Sequence, residues 1–146
     1  MESNKVFIDS CIWLYTADNN SPAKQSATRS FIASVSCNSK IATSVQVMGE
    51  FSNVAIRKYN LDAEKVKRYV EHISAFELHE VGAGIVYTAL GIAARHQIAF
   101  WDAMLIATAK EAGCSIFYSE DLNHEQVISG VQIINPFLEW IQNRLR

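Results

Sequence analysis

Residues 100–121 read FWDAMLIATAKEAGCSIFYSED, and this stretch sets the fold class. From Trp101 to about Ala112 it is apolar nearly all round, which suits a helix laid on a sheet and covered by neighbours. Gly113 supplies the stop, because glycine readily takes the left-handed backbone that closes a helix. Residues 114–118 (CSIFY) then read as a buried strand running out onto the acids Glu120 and Asp121. A helix feeding straight into a buried strand is half of a parallel α/β unit. One residue is out of place. Asp102 is an acid among apolar neighbours at the helix start. It is either a helix N-terminal acid serving free N–H groups and the dipole, or part of a site.

Working outward, the pattern repeats. Residues 5–8 (KVFI) form a strand ending on Asp9, and Ser21-Pro22 opens a helix with Thr28, Phe31, Ile32 and Val35 on one face. Residues 41–43 make a second short strand, and Ser44 caps a helix whose apolar stripe is Val47, Phe51 and Val54. Val66, Tyr69, Val70 and Ile73 mark another helix. A weak strand over 76–81, a helix over 84–96 and a last strand over 131–134 follow, with residues 141–146 extending a terminal helix or fraying. Strands alternating with helices predict an α/β protein with a mostly parallel sheet, as one domain over residues 1–146.

Composition narrows the function classes. At 49% hydrophobic and 19% charged residues the chain is an ordinary globular one, and its net charge of -2 advertises no general affinity for nucleic acid. Cys11, Cys37 and Cys114 form no CxxC pair and are odd in number, which argues against a disulfide frame or zinc site and for a reducing, cytoplasmic setting. Val6-Phe7-Ile8 is cut short by Asp9, so no secretory segment or membrane span is expected.

In open parallel sheets, ligands bind beyond the carboxyl ends of the strands. Asp9 and Asp121 both follow strands, and Asp102 begins the helix that returns to the strand before Asp121, so three acids share one edge. Glu50 sits on the apolar face of its own helix with no cation nearby. It either snorkels out or joins the same site. Two carboxylates about 4 Å apart repel by roughly 4 kcal/mol at an effective dielectric near 20. A shared divalent cation removes that penalty, and oxygen-only ligands favour Mg²⁺ or Mn²⁺ over zinc. His72, His79, His96 and His124 are scattered, and only His124 lies near the proposed site. The densest basic group is Arg57, Lys58, Lys65, Lys67 and Arg68, read as a solvated face or an RNA-contacting patch. Trp13 and Trp101 adjoin the motif acids and read as core residues in preference to base-stacking platforms.

Four stretches taken in order, VFIDSCIWLY, TSVQVMGEF, FWDAMLIATAKEAGC and IFYSEDLNH, resemble the PIN domain, and within it the VapC-like toxins of toxin–antitoxin pairs. The resemblance implies a three-layer α/β/α sandwich in which Asp9, Glu50, Asp102 and Asp121 bind Mg²⁺ or Mn²⁺ and hydrolyse RNA, leaving a 5′-phosphate and a 3′-hydroxyl. It implies Glu50 or Asp102 as an aid to proton removal, and Ser44 and Gln46 as support. Cys11 stands where the family often has Asn or Ser. A cognate antitoxin, and self-association through an apolar helical face, are implied likewise. Receiver-type and dehalogenase-type readings fit poorly, since no lysine follows the late strand and Cys11 occupies the place of a second Asp. The remaining alternative is a non-catalytic PIN domain that binds RNA or protein.

Overall fold

The computed structural model describes residues 4–138. Its elements run β1 (Lys5–Ile8), α1 (Ser10–Tyr15), α2 (Pro22–Asn38), β2 (Lys40–Ser44), α3 (Val45–Arg57), α4 (Ala63–Ser74), β3 (Glu77–His79), α5 (Ala83–His96), α6 (Phe100–Glu111), β4 (Ile116–Tyr118), β5 (Val127–Ile128) and β6 (Val131–Ile134). The strands form one sheet in the order β3-β2-β1-β4-β6-β5, parallel throughout except for the β5–β6 pair. Helices flank it. α1 packs on α2 and α3, α3 on α4, and α5 on α6.

Strand β1 is central, pairing with β2 on one side and β4 on the other. The chain moves outward from β1 through β2 to β3, then returns to β4 on the opposite flank. The β1–β4 boundary is therefore the switch point at which parallel sheets open a crevice for ligands. Phe7 and Phe117 sit opposite each other in that pair, fully buried, with rings stacked at 5.5 Å.

The expected strand 131–134 is found at those residues, and α6 and α5 lie within a residue of the expected spans. Two elements had no counterpart in the sequence reading. Helix α1 is only six residues long and starts directly after Asp9, too short to display helical periodicity. The two-residue strand β5 forms a hairpin with β6 through Ser129 and Gly130, whose φ values of 52° and 81° match the paired positive-φ turn that suits hairpin twist. Gly113 closes α6 with φ of 82°, as expected. The expected terminal segment 141–146 lies outside the described residues. No helix among the described residues is long and apolar enough to cross a membrane.

Trp101 corrects the core assignment. Trp13 is 2% exposed, but Trp101 is 61% exposed, because its position in the first turn of α6 turns it away from the sheet.

Candidate acidic active site

Asp9 follows the last residue of β1, and its backbone N–H donates to the Tyr118 carbonyl at 2.9 Å, drawing the ends of β1 and β4 together. Its side chain caps α1 and is almost wholly buried. Oδ1 accepts from the Ser10 backbone N–H at 2.7 Å and lies 3.3 Å from the Ser10 hydroxyl, while Oδ2 accepts from the Ser119 hydroxyl at 2.9 Å. Ser119 in turn accepts from the Asp121 backbone N–H at 3.1 Å, so one buried hydroxyl fixes Asp9 and the loop bearing Asp121 together. The Ser10 hydroxyl also lies 3.1 Å from Glu50 Oε1, which brings α3 to the same edge.

The second Glu50 oxygen accepts from Gln46 Nε2 at 3.3 Å, and the same nitrogen donates to the Trp101 carbonyl at 3.0 Å. Gln46 thus ties α3 to the first turn of α6, where Asp102 is the third residue. Ala99, not Asp102, is the N-cap of α6, and no side chain bonds that cap. The capping reading of Asp102 therefore fails, although the acid still sits at the favourable end of the dipole.

All of the expected acids approach one another. Ligand atoms of Asp9, Cys11 and Asp121 lie within 4.8 Å of each other and can together hold a metal ion. Glu50 and Asp102 stand outside that tight set but within electrostatic reach. Burial pushes the Asp9 carboxyl up from 3.8 to about 7, with the charges of Glu50 and Asp102 adding and the Ser119 and Ser10 hydrogen bonds opposing. Glu50 is raised by burial, against the Gln46 and Ser10 bonds, with Asp102 and Asp121 adding to the rise. Asp102 is raised by burial and by Asp121. Burial and the Asp9 charge hold the Cys11 thiol far above its ordinary range. Its sulfur lies 4.0 Å from the Ser119 hydroxyl.

Among the described residues, no Lys, Arg or His forms an ion pair with any of these acids. The ion pairs among the described residues engage Glu77, Glu120 and Glu125 instead. Among the described residues, hydroxyl, amide and backbone groups are the donors that meet these carboxylates, and a buried anion held only by neutral donors is costly. An oxygen-rich cluster short of positive charge fits a divalent ion.

Other expected residues lie elsewhere. Ser44 is buried and caps α3 through the Val47 N–H at 3.3 Å, with no bond to an acid. His124 Nδ1 accepts from the Asn135 N–H at 3.0 Å, which anchors the end of β6. Glu120 turns away, accepting from the Tyr15 hydroxyl and lying 4.0 Å from Lys24 Nζ. The basic group divides. Lys65 and Arg68 line a cavity of about 570 Å³ with Trp13, Arg29 and Tyr69, whereas Lys58 lines a separate cleft of about 330 Å³ with Cys11, Tyr59 and Glu120. Ser10 and Ser119 were not singled out from sequence. The available clue is position, each being a hydroxyl residue within two of a strand-end acid.

The family model for the PIN domain matches residues 6–128, and the chain belongs to the PIN domain family. Its fold is similar to those of solved toxins. The Mycobacterium tuberculosis toxin VapC20, described as cleaving the sarcin-ricin loop, superposes with a TM-score of 0.63 at 20% identity, over 80% of this chain and 89% of that one. VapBC2 from Rickettsia felis, solved bound to a DNA fragment from its promoter, gives 0.67 at 14% identity, over 90% and 98% of the two chains. A toxin–antitoxin complex from Klebsiella pneumoniae gives 0.63 at 16% identity, over 90% and 97%. No curated protein sequence is matched.

Proposed function

We propose that this protein is a divalent-metal-dependent endoribonuclease, a single nuclease domain over residues 1–146 that serves as the toxin of a toxin–antitoxin pair. The carrying observation is the set of convergent carboxylates that, among the described residues, form no ion pair with a cation. Asp9, Asp121, Glu50 and Asp102 would hold Mg²⁺ or Mn²⁺. A bound ion of that kind supplies an acidified water and neutralises the phosphate under attack.

The protein's own groups do the rest. Asp9 is the fixed point, because Ser10 and Ser119 hold both of its oxygens. Glu50 and Asp102 are less buried than Asp9 and are raised in pKa, which suits either to accept a proton from water during in-line displacement. Gln46 sets the Glu50 carboxylate by its hydrogen bond. Lys58, in the cleft that contains Cys11 and Glu120, offers a contact for an RNA phosphate. The products would be a 5′-phosphate and a 3′-hydroxyl.

A cognate antitoxin is the expected protein partner, by likeness to toxins solved in antitoxin complexes. Free Cys11, Cys37 and Cys114 support work in the reducing cytoplasm. The test is incubation of purified protein with structured RNAs in Mg²⁺ or Mn²⁺ and in chelator. Cleavage should need the ion and vanish in Asp102→Asn with the fold intact. Chelator-resistant cleavage would defeat the metal reading, and tight RNA binding without cleavage would favour a binding-only PIN domain.

A further inference from the structure

Three observations meet at the mouth of the acidic centre. Trp101 is 61% exposed although the next residue is Asp102, and Phe100 steadies its ring edge-on at 5.3 Å. A shallow cavity of about 440 Å³ beside it is lined by Val45, Gln46, Glu80, Val81, Trp101 and Met104. Gln46 Oε1 is buried with no hydrogen-bond partner. The orientation of that amide is fixed, because Nε2 faces two acceptors, Glu50 Oε2 and the Trp101 carbonyl. The orphan is therefore an acceptor in want of a donor.

We infer that Trp101 and Gln46 form a nucleobase subsite, in which a base adjoining the cleaved phosphodiester stacks on the Trp101 indole and donates a ring or amino N–H to Gln46 Oε1. This rests on the ribonuclease reading above. An exposed indole costs water contact and contributes no core packing, whereas a stacked base recovers both and tolerates many sequences. Gln46 and Glu80, which line the cavity, offer acceptors that disfavour phosphate and suit the N–H donors of a base, amino groups in guanine, adenine and cytosine and the ring imide in uracil and guanine. Through Gln46 a bound base is mechanically continuous with Glu50, so base binding and carboxylate placement are joined in one side chain.

The experiment measures cleavage of short single-stranded RNAs in Mg²⁺ by the parent, Trp101→Phe and Trp101→Ala, with tryptophan emission followed as RNA is added. Stacking is worth roughly 1–3 kcal/mol per base, so Trp101→Ala should raise KM about 10- to 100-fold with kcat within about threefold. Trp101→Phe should keep KM near the parent while losing most of the RNA-induced quenching. Unchanged KM in Trp101→Ala overturns the inference, as does a shift in oligomeric state by sedimentation with KM unchanged, which would make the patch a contact for a second copy. If the parent cleaves no RNA, the nuclease reading fails. RNA quenching specific to Trp101 would then still support a base subsite, and its absence would remove that too.

Discussion

Replacing Asp9 by Asn should make the metal-free protein more stable, and increasingly so as the pH rises. The Asp9 carboxyl titrates at about 7 in the folded chain against an ordinary 3.8, raised chiefly by burial. A folded pKa above the unfolded one means that the protonated form is favoured in the native state. That contribution to stability is complete below pH 3.8, erodes as the pH climbs toward 7 and is gone above it. Holding Asp9 ionised at pH 8.5 therefore costs about 4 kcal/mol, since each pKa unit is worth about 1.4 kcal/mol. Asn keeps the shape and removes the charge. Its oxygen can still accept from the Ser10 N–H, but its amino group must meet the Ser119 hydroxyl, which has to turn and accept. That rearrangement costs about 1 kcal/mol, the typical net worth of one hydrogen bond.

The net expectation is a metal-free Asp9→Asn variant about 3 kcal/mol more stable than the parent at pH 8.5, with the advantage shrinking by about 2–3 kcal/mol at pH 5. Urea unfolding in chelator at the two pH values reads this directly, each difference being a shift of midpoint at constant slope. Adding Mg²⁺ at pH 8.5 should then stabilise the parent and leave the variant nearly unmoved, while RNA cleavage is lost in the variant. A variant destabilised equally at both pH values would refute the reasoning. It would mean that Asp9 is held for its hydrogen bonds and that its charge carries no penalty.

The remaining predictions follow from single contacts. Ser119→Ala removes the donor to Asp9 Oδ2 and the acceptor of the Asp121 N–H, so it should cost about 1–3 kcal/mol of stability by chemical denaturation. It should also raise the Mg²⁺ concentration needed for half-maximal cleavage, because the loop bearing Asp121 loses its anchor. Lys58→Ala should weaken RNA binding by fluorescence anisotropy and lower the slope of log affinity against log salt by about 0.7, as expected for one lost contact to single-stranded phosphate. An unchanged slope would move the RNA path away from the Lys58 cleft. Gly113→Ala forces a side chain onto a backbone with φ of 82° and should destabilise by about 1 kcal/mol or more in thermal melts, with cleavage rate unaffected.

The acids were legible in the sequence because topology alone fixes where strand ends go. Asp9 directly follows β1 and Asp121 lies on the loop just beyond β4, and parallel pairing with Ile8 opposite Tyr118 puts both at one edge. Glu50 was legible for the opposite reason, as a charge at a position that periodicity reserves for apolar residues. What stayed hidden depends on side-chain direction. Nothing in the apolar run of α6 distinguishes Trp101, in its first turn and exposed, from the buried residues 103–109. Lys65 and Arg68 are close in sequence to Lys58, yet Lys58 ends α3 while the other two belong to α4, so the charge run divides between two clefts. Ser10 and Ser119 carry no periodic signature, since a hydroxyl is equally at home on a surface turn.

Those serines bear on why the centre is built as it is. A lysine or arginine beside Asp9 would relieve the repulsion within the chain and stabilise the metal-free fold. It would also occupy the charge deficit that draws a divalent ion. Ser10 and Ser119 instead orient Asp9 with neutral donors, lowering its pKa less than an ion pair would and leaving the carboxylates under-compensated. The fold accepts that penalty at the switch point, where β1 and β4 are already locked by the Asp9 N–H bond to Tyr118 and by the stacked Phe7–Phe117 pair beneath. Rigidity from the sheet thus substitutes for charge neutralisation, and under the proposed function the instability left over would become binding energy for the cation that completes the site.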